Sequence, residues 1–215
     1  HDERIKNRAA WRVGLGGLHD TYRPIDRVLA DDVVLRIVAE AYALDADFGL
    51  FIETAAQTGA RASQLARLEV ADLRRDQLTM PSSRKGKRRT VSRTPVPISV
   101  DLANRLRRGA KGRAPDAPLL TRDGAAWDLK NRKRLLQDPF AVVAKRLGIT
   151  ATMYGLRHGS IVRSLVAGVP AALVAAHHDT SLAMLAKTYA RYIADHAHDV
   201  ARRGLLAPAP VAVPA

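Results

Sequence analysis

From residue 31 onward apolar residues return at helical spacing, segment after segment, and the pattern breaks once. The break is DQLTMPSSRKGKRRTVSRTPVPIS, residues 76 to 99, where short β-leaning runs flank a turn crowded with cations. A helical period on both sides of one hairpin-like interruption leaves few architectures open. The chain is expected to be mainly α with a small antiparallel β-sheet inserted early, an α+β fold. Within the break, one strand is predicted near Gln77 to Met80 and another near Thr94 to Ile98. The loop between them carries Arg84, Lys85, Gly86, Lys87, Arg88 and Arg89.

The flanking helices can be read from their ends. ADDVVLRIVAEAYALD opens on an Asp pair, favoured at the positive end of a helix, and predicts a helix over Asp31 to Leu44. FGLFIETAAQTGAR predicts a second helix closing near Gly59, and RASQLARL a short third. After the break come SVDLANRLRRGA, LKNRKRLLQDPFAVVAKRLG (interrupted at Pro139), YGLRHGSIVRSLVAGV, PAALVAAHH and TSLAMLAKTYARYI. Residues 1–27 are basic and glycine-bearing and read as an arm or interdomain linker. Residues 28–203 read as one domain, and the Pro/Ala-rich 204–215 as a flexible tail.

Charge narrows the partners. Lys and Arg number 35 against 21 Asp and Glu, a net charge of +14 in 215 residues. A field that positive attracts a polyanion. No apolar run approaches the roughly 18–20 residues needed to span a bilayer, so nucleic acid stands ahead of membrane. With no cysteine, disulfides, thiolate catalysis and cysteine-bound zinc are excluded, and a cytoplasmic location is expected. No metal or cofactor is expected.

One motif poses a question. In YGLRHGS, Arg157 and His158 are expected at the start of a helix, where the dipole already prefers an anion. A phosphate held there by Arg157 answers it. Other candidate groups are Arg61 in TGARASQL, Lys85 in the basic loop, and His178 and Tyr189 in AAHHDTSLAMLAKTYARYI. This order (Arg, Lys on a hairpin, a second Arg, His, Tyr) resembles that of the tyrosine recombinases of the phage integrase family, over about Ala30 to Ile193. The resemblance implies the tyrosine recombinase catalytic-domain (DNA breaking–rejoining) fold. It implies a metal- and ATP-independent site-specific recombinase that cuts and rejoins duplex DNA through a 3′-phosphotyrosyl intermediate.

Under that resemblance Tyr189 is the nucleophile, Arg61 and Arg157 clamp the phosphate, Lys85 is the general acid, and His178 hydrogen-bonds the phosphate. Arg84, Lys87, Arg88 and Arg89 contact backbone phosphates. The chemistry fits these residue types independently. Guanidinium groups contact non-bridging oxygens bidentately. A phenol ionises near 10, below an alcohol, and attacks without a metal if its anion is stabilised. A lysine can protonate the departing 5′ oxygen. Similar enzymes assemble as tetramers on DNA and exchange C-terminal segments. The segment after Ile193 is the candidate for that exchange, and the domain alone in solution can be monomeric. They also use an upstream helical domain. Residues 1–27 are too short to be one, so a fragment or truncated member is expected.

Three positions depart from the family pattern. Tyr154 stands where a histidine is usual, three residues before the second arginine; its phenol can still donate to a phosphate oxygen. Gln64 replaces an acidic residue three places after the first arginine and can orient the guanidinium only through a neutral carbonyl. AAHHDTS lacks the usual LGH, so His177 stays open beside His178, as Arg84 and Lys87 stay open beside Lys85.

Plainer readings stand beside these. Tyr189 shares a helical stripe with Leu182 and Leu185 and fits a core position; Tyr192, on the next face, packs. Arg61 alone reads as a surface arginine or a cap. His158 reads as structural support. His177, His178 and Asp179 lack further ligands for a metal, and His196 and His198 read as solvated. RASQLARLEVADL also matches the start of a helix-turn-helix. The rival functions are therefore a non-catalytic DNA-binding regulator or inactive recombinase relative, and a type IB topoisomerase-like enzyme.

Overall fold

The computed structural model describes residues 28–83, 92–203 and 205, with backbone alone at 191, 193–201 and 203. The basic loop bearing Arg84, Lys85, Lys87, Arg88 and Arg89 lies outside the described residues, as do 1–27 and almost all of 204–215. Helix α1 (Asp31–Leu44) is followed at once by α2 (Ala46–Thr58), whose first turn is capped by Asp45 accepting from the Phe48 N–H at 2.7 Å. Helix α2 is central. Phe48, Phe51, Ile52, Ala55 and Ala56 are all buried, so apolar contact surrounds it rather than lying along one stripe.

Its polar residues are satisfied locally. The Thr54 and Thr58 hydroxyls donate to the carbonyls of Leu50 and Thr54 at 2.7 and 2.6 Å. Buried Glu53 accepts from Tyr42 at 2.7 Å and from Arg105 on α4 (Val100–Ala110), which staples α4 against α2. A buried carboxylate with those donors avoids the penalty of an unpaired charge.

Helix α3 (Ala62–Leu65) is a single turn. A 3₁₀ turn and a three-stranded antiparallel sheet follow, in the order β1 (Leu73–Arg74), β2 (Gln77–Pro81), β3 (Arg93–Pro97). No second helix follows α3, so the helix-turn-helix reading of RASQLARLEVADL fails. Register pairs Leu78 with Val96, and Leu78, Met80 and Val96 turn inward on the alternating face. Pro95 and Pro97 are tolerated because β3 is an edge strand.

A two-stranded hairpin, β4 (Thr121–Arg122) and β5 (Ala125–Ala126), comes after α4. A π-helical turn over Lys133–Gln137 then runs into α5 (Asp138–Arg146). The expected break at Pro139 does not occur. Proline sits at the start of α5, directly after the π-helical turn.

Three helices complete the chain: α6 (Met153–Val166), α7 (Ala171–His177) and α8 (Leu182–Arg203). Helix α8 runs past Ile193, where the sequence reading ended it, and leaves helical geometry at Tyr189 (φ −125°, ψ 18°). The expected stripe of Leu182, Leu185 and Tyr189 is only partly built: Leu185 and Tyr189 are buried but Leu182 is exposed.

Buried side chains form two clusters. The larger one gathers α1, α2, the sheet, α4, α5 and Leu156 of α6. The smaller one joins Ile161, Val162 and Leu165 of α6 to Val174 and Ala175 of α7 and to Leu185 and Tyr189 of α8. Helix α6 thus belongs to both. No helix among the described residues is long and apolar enough to cross a membrane.

Candidate active site

The site grows from the turn that ends α2. Gly59 caps the helix in the left-handed region (φ 60°), which a side chain rarely adopts. A Cβ there would also lie 2.6 Å from the His178 ring and 2.9 Å from Ser160 Cβ, so the backbone can approach α6 and α7 only as glycine. Arg61 follows at the N-cap of α3. Its Nη1 donates to the Asp179 carboxylate at 2.8 Å and to the Asp179 carbonyl at 3.2 Å.

Arg157 arrives from the other side. Helix α6 starts at Met153, so Arg157 and His158 lie in its second turn rather than at its very start. Arg157 is buried; Nη1 donates to the Gly59 carbonyl at 2.8 Å and Nη2 to the His178 carbonyl. The two guanidinium groups therefore dock on consecutive residues, 178 and 179. Their mutual repulsion registers in Arg157, whose pKa is lowered first by burial and then by the Arg61 charge, while Tyr154 and Tyr189 favour its cation. The two cations are close enough to repel, and the Asp179 carboxylate answers the one on Arg61. A guanidinium carries five N–H donors, so two carbonyl bonds leave Arg157 with capacity to spare.

Tyr189 lies near enough to Arg157 to favour its cation. Its side chain is buried, with 4% of the residue exposed, and its hydroxyl lies 2.5 Å from His158 Nδ1. The Tyr154 ring stands edge-on to the His158 ring, centroids 4.6 Å apart, and remains half exposed. The pKa of His158 is lowered, first by burial and then by Arg157, so its imidazole is neutral near pH 7.

His178 has partners within the chain at both ring nitrogens. It is buried, Nδ1 donates to the Val174 carbonyl at 2.9 Å, and Nε2 accepts from Ser160 Oγ at 3.0 Å. Burial pushes its pKa down to about 4. With both ring nitrogens engaged, His178 meets the site through its carbonyl, which holds Arg157. His177, the alternative, ends α7 half-buried, and burial lowers its pKa too. Gln64 also differs from expectation. Its Oε1 accepts the Arg61 backbone N–H at 3.0 Å and its Nε2 donates to the Pro81 carbonyl at 2.8 Å, so it fixes the turn and β2 rather than the guanidinium.

One partner was not foreseen, and a second was foreseen only as structural support. Asp179, at φ 47°, joins Arg61 to the backbone N–H of Ser83 at 2.9 Å, where the described part of β2's loop ends. Left-handed Asp is tolerated, and the HD pair after a short helix was the available signal. The other is His158, whose i+4 relation to Tyr154 was visible but whose distance from residue 189 in sequence was not bridged. Beside Arg61 a cleft of about 530 Å³ opens between Ser63, Arg67, Ser83, Trp127 and Lys130. Among the described residues no cluster of His, Asp or Glu could hold a metal ion.

No family model matches the chain and no curated protein sequence does. Solved structures do. The chain is similar to the catalytic domain of bacteriophage HP1 integrase (TM-score 0.60, 19% identity, 81% of this chain and 92% of that one). It is similar to XerA recombinase (TM-score 0.58, 21% identity, 83% and 63%). It is also similar to the Tn1549 transposon integrase bound to circular-intermediate DNA (TM-score 0.61, 16% identity, 87% and 67%). The fold is that of the tyrosine recombinase catalytic domain. The chain spans 63% of the XerA recombinase length but nearly all of the HP1 catalytic domain.

Proposed function

We propose that this chain cuts and rejoins duplex DNA as the catalytic domain of a tyrosine-type site-specific recombinase. The observation that carries the reading is the docking of Arg61 and Arg157 on residues 179 and 178, with the Tyr189 hydroxyl on the histidine next to Arg157. The clamp holds the non-bridging oxygens of one phosphodiester. Tyr189 attacks the phosphorus, forms the 3′-phosphotyrosyl bond and releases the 5′ oxygen. Tyr154, exposed at the rim, donates to a phosphate oxygen, and Lys85 of the basic loop supplies the proton to the leaving oxygen. His178 supports Arg157 from behind. The bond energy is kept in the covalent link, so rejoining needs neither ATP nor a metal. Duplex DNA lies along the cleft beside Arg61, where Arg67 and Lys130 add positive charge. A tetramer on two DNA sites is the working assembly.

The burial of Tyr189 favours one rival, a DNA-binding relative without activity. A pool of nicked suicide duplexes separates the two. The wild-type chain is expected to leave a covalent protein–DNA adduct mapped to Tyr189 by mass spectrometry, abolished in Tyr189→Phe with DNA binding retained. Salt-sensitive binding with no adduct from any duplex would establish the rival instead.

A further inference from the structure

We infer that His158 is the general base of the reaction, taking the Tyr189 proton onto Nδ1 as the phenol attacks. The inference rests on the proposed strand transfer and names a residue that the ordered motif leaves without a chemical role.

Geometry comes first. A base must lie within hydrogen-bond reach of the proton it removes, and Nδ1 is 2.5 Å from the Tyr189 oxygen. The contact joins α6 to α8 across the small cluster, so it is made by tertiary packing and not by a local turn. Tyr189 also sits at the point where α8 departs from helical geometry, which sets its side chain apart from a regular helical stripe. The His158 ring is held in place by the edge of Tyr154.

The groups that bear on His158 come from two helices: Arg157 and Tyr154 of α6, and Tyr189 of α8. Burial and the Arg157 cation are what depress its pKa, and no carboxylate contributes. A neutral imidazole is the form able to accept a proton. The other candidates do not serve: Tyr154 is a phenol, a poor base near neutrality, and His178 has both nitrogens committed.

The step balances as follows. The Tyr189 O–H bond breaks and its proton passes to Nδ1. The phenol oxygen bonds to phosphorus and the bond from phosphorus to the 5′ oxygen breaks. The 5′ oxygen takes a proton from the basic-loop lysine or from water. In rejoining, the 5′ hydroxyl gives its proton back to that lysine or to water, its oxygen bonds to phosphorus, the phosphotyrosyl bond breaks, and the imidazolium returns its proton to the phenol oxygen. Arg157 next to the imidazolium makes that cation short-lived, which favours the return.

The test is single-turnover adduct formation on a nicked suicide duplex across pH, with thermal unfolding and DNA binding as controls on folding. Wild type should be flat above pH 6.5 and fall at lower pH, because the depressed imidazole is protonated only there. His158→Gln keeps an acceptor but cannot take a proton, and should slow the step by roughly 10²–10⁴-fold. Its rate should then rise with pH toward the phenol pKa. Added imidazole should partly restore His158→Ala. If wild type forms the Tyr189 adduct while His158→Gln matches its rate and pH profile, the base assignment is overturned and the strand-transfer reading stands. No adduct from the wild type overturns both.

Discussion

The two apolar clusters divide the labour of the site unequally. The large cluster packs Phe48, Phe51, Leu65, Leu68, Leu102 and Leu106 at or near zero exposure, and the Gly59–Arg61 turn is mounted on it. Among the described residues the small cluster has seven buried members, and it carries Tyr189 itself. Around it Val166, Leu173, Leu182 and Met184 remain exposed. A region with fewer buried contacts opens at lower free-energy cost than the core beside it. The Gly59–Arg61 turn is thus mounted on the more heavily buried part, and Tyr189 on the part that opens more easily, while both guanidinium groups reach across to residues 178 and 179 at the end of α7. Helix α6 ties them, with Leu156 in one cluster, Ile161 and Leu165 in the other, and Arg157 and His158 between.

The comparison can be broken hardest at the large cluster. Phe51→Ala should cost about 3–5 kcal/mol, seen as a loss of global stability in denaturant melts. Leu185→Ala, equally buried, should cost about 2–3 kcal/mol. It should speed hydrogen exchange in α7 and α8 while leaving α1 and α2 protected. Equal deprotection of all four helices would show that the two clusters unfold as one.

Acidification probes the seam. An unfolded histidine binds a proton near 6.5, whereas His178 stays neutral down to about 4. The unfolded state therefore holds more protons between those values. Stability is full above pH 6.5 and declines as pH falls to 4, by about 3 kcal/mol from this group. Denaturant melts of wild type and His178→Asn at pH 7 and 4.5 should show the pH dependence shrinking in the variant. The smallest effect is expected at Asp179, whose pair with Arg61 is partly exposed. Asp179→Asn should cost within about 1 kcal/mol of stability. If the proposed phosphate uses the Nη1 that the carboxylate now occupies, DNA affinity should hold or rise in that variant. A drop in affinity would mean that Asp179 positions Arg61 for the phosphate.

Much of the architecture was legible because it is local. The Asp pair and the apolar period of residues 31–44 coincide with α1, and Gly59 stops α2 where a left-handed residue was called for. The alternation around Leu78 and Val96 marks β2 and β3 to within a residue. What failed were features without local contrast. Nothing in the period distinguishes a helix ending at Ile193 from one continuing to Arg203, and Pro139 reads the same as a break or as a first-turn residue. At the site, residue types and order were legible, but the pairing was not. His177 and His178 stayed open as alternatives and His158 read only as support, until packing buried His178, left His177 at a helix end and bonded His158 to Tyr189.

The amino-acid order alone determined a basic, cysteine-free, mostly helical chain with a hairpin at residues 77–98 and an ordered set of arginine, histidine and tyrosine side chains, because periodicity, turns and charge are properties of neighbours; the small β4–β5 hairpin went unread. Only the tertiary structure decided which of those side chains meet. Arg61 and Arg157 are brought to adjacent carbonyls, and Tyr189 to His158, by helices that pack from distant parts of the chain, and no local pattern encodes which helix lies against which.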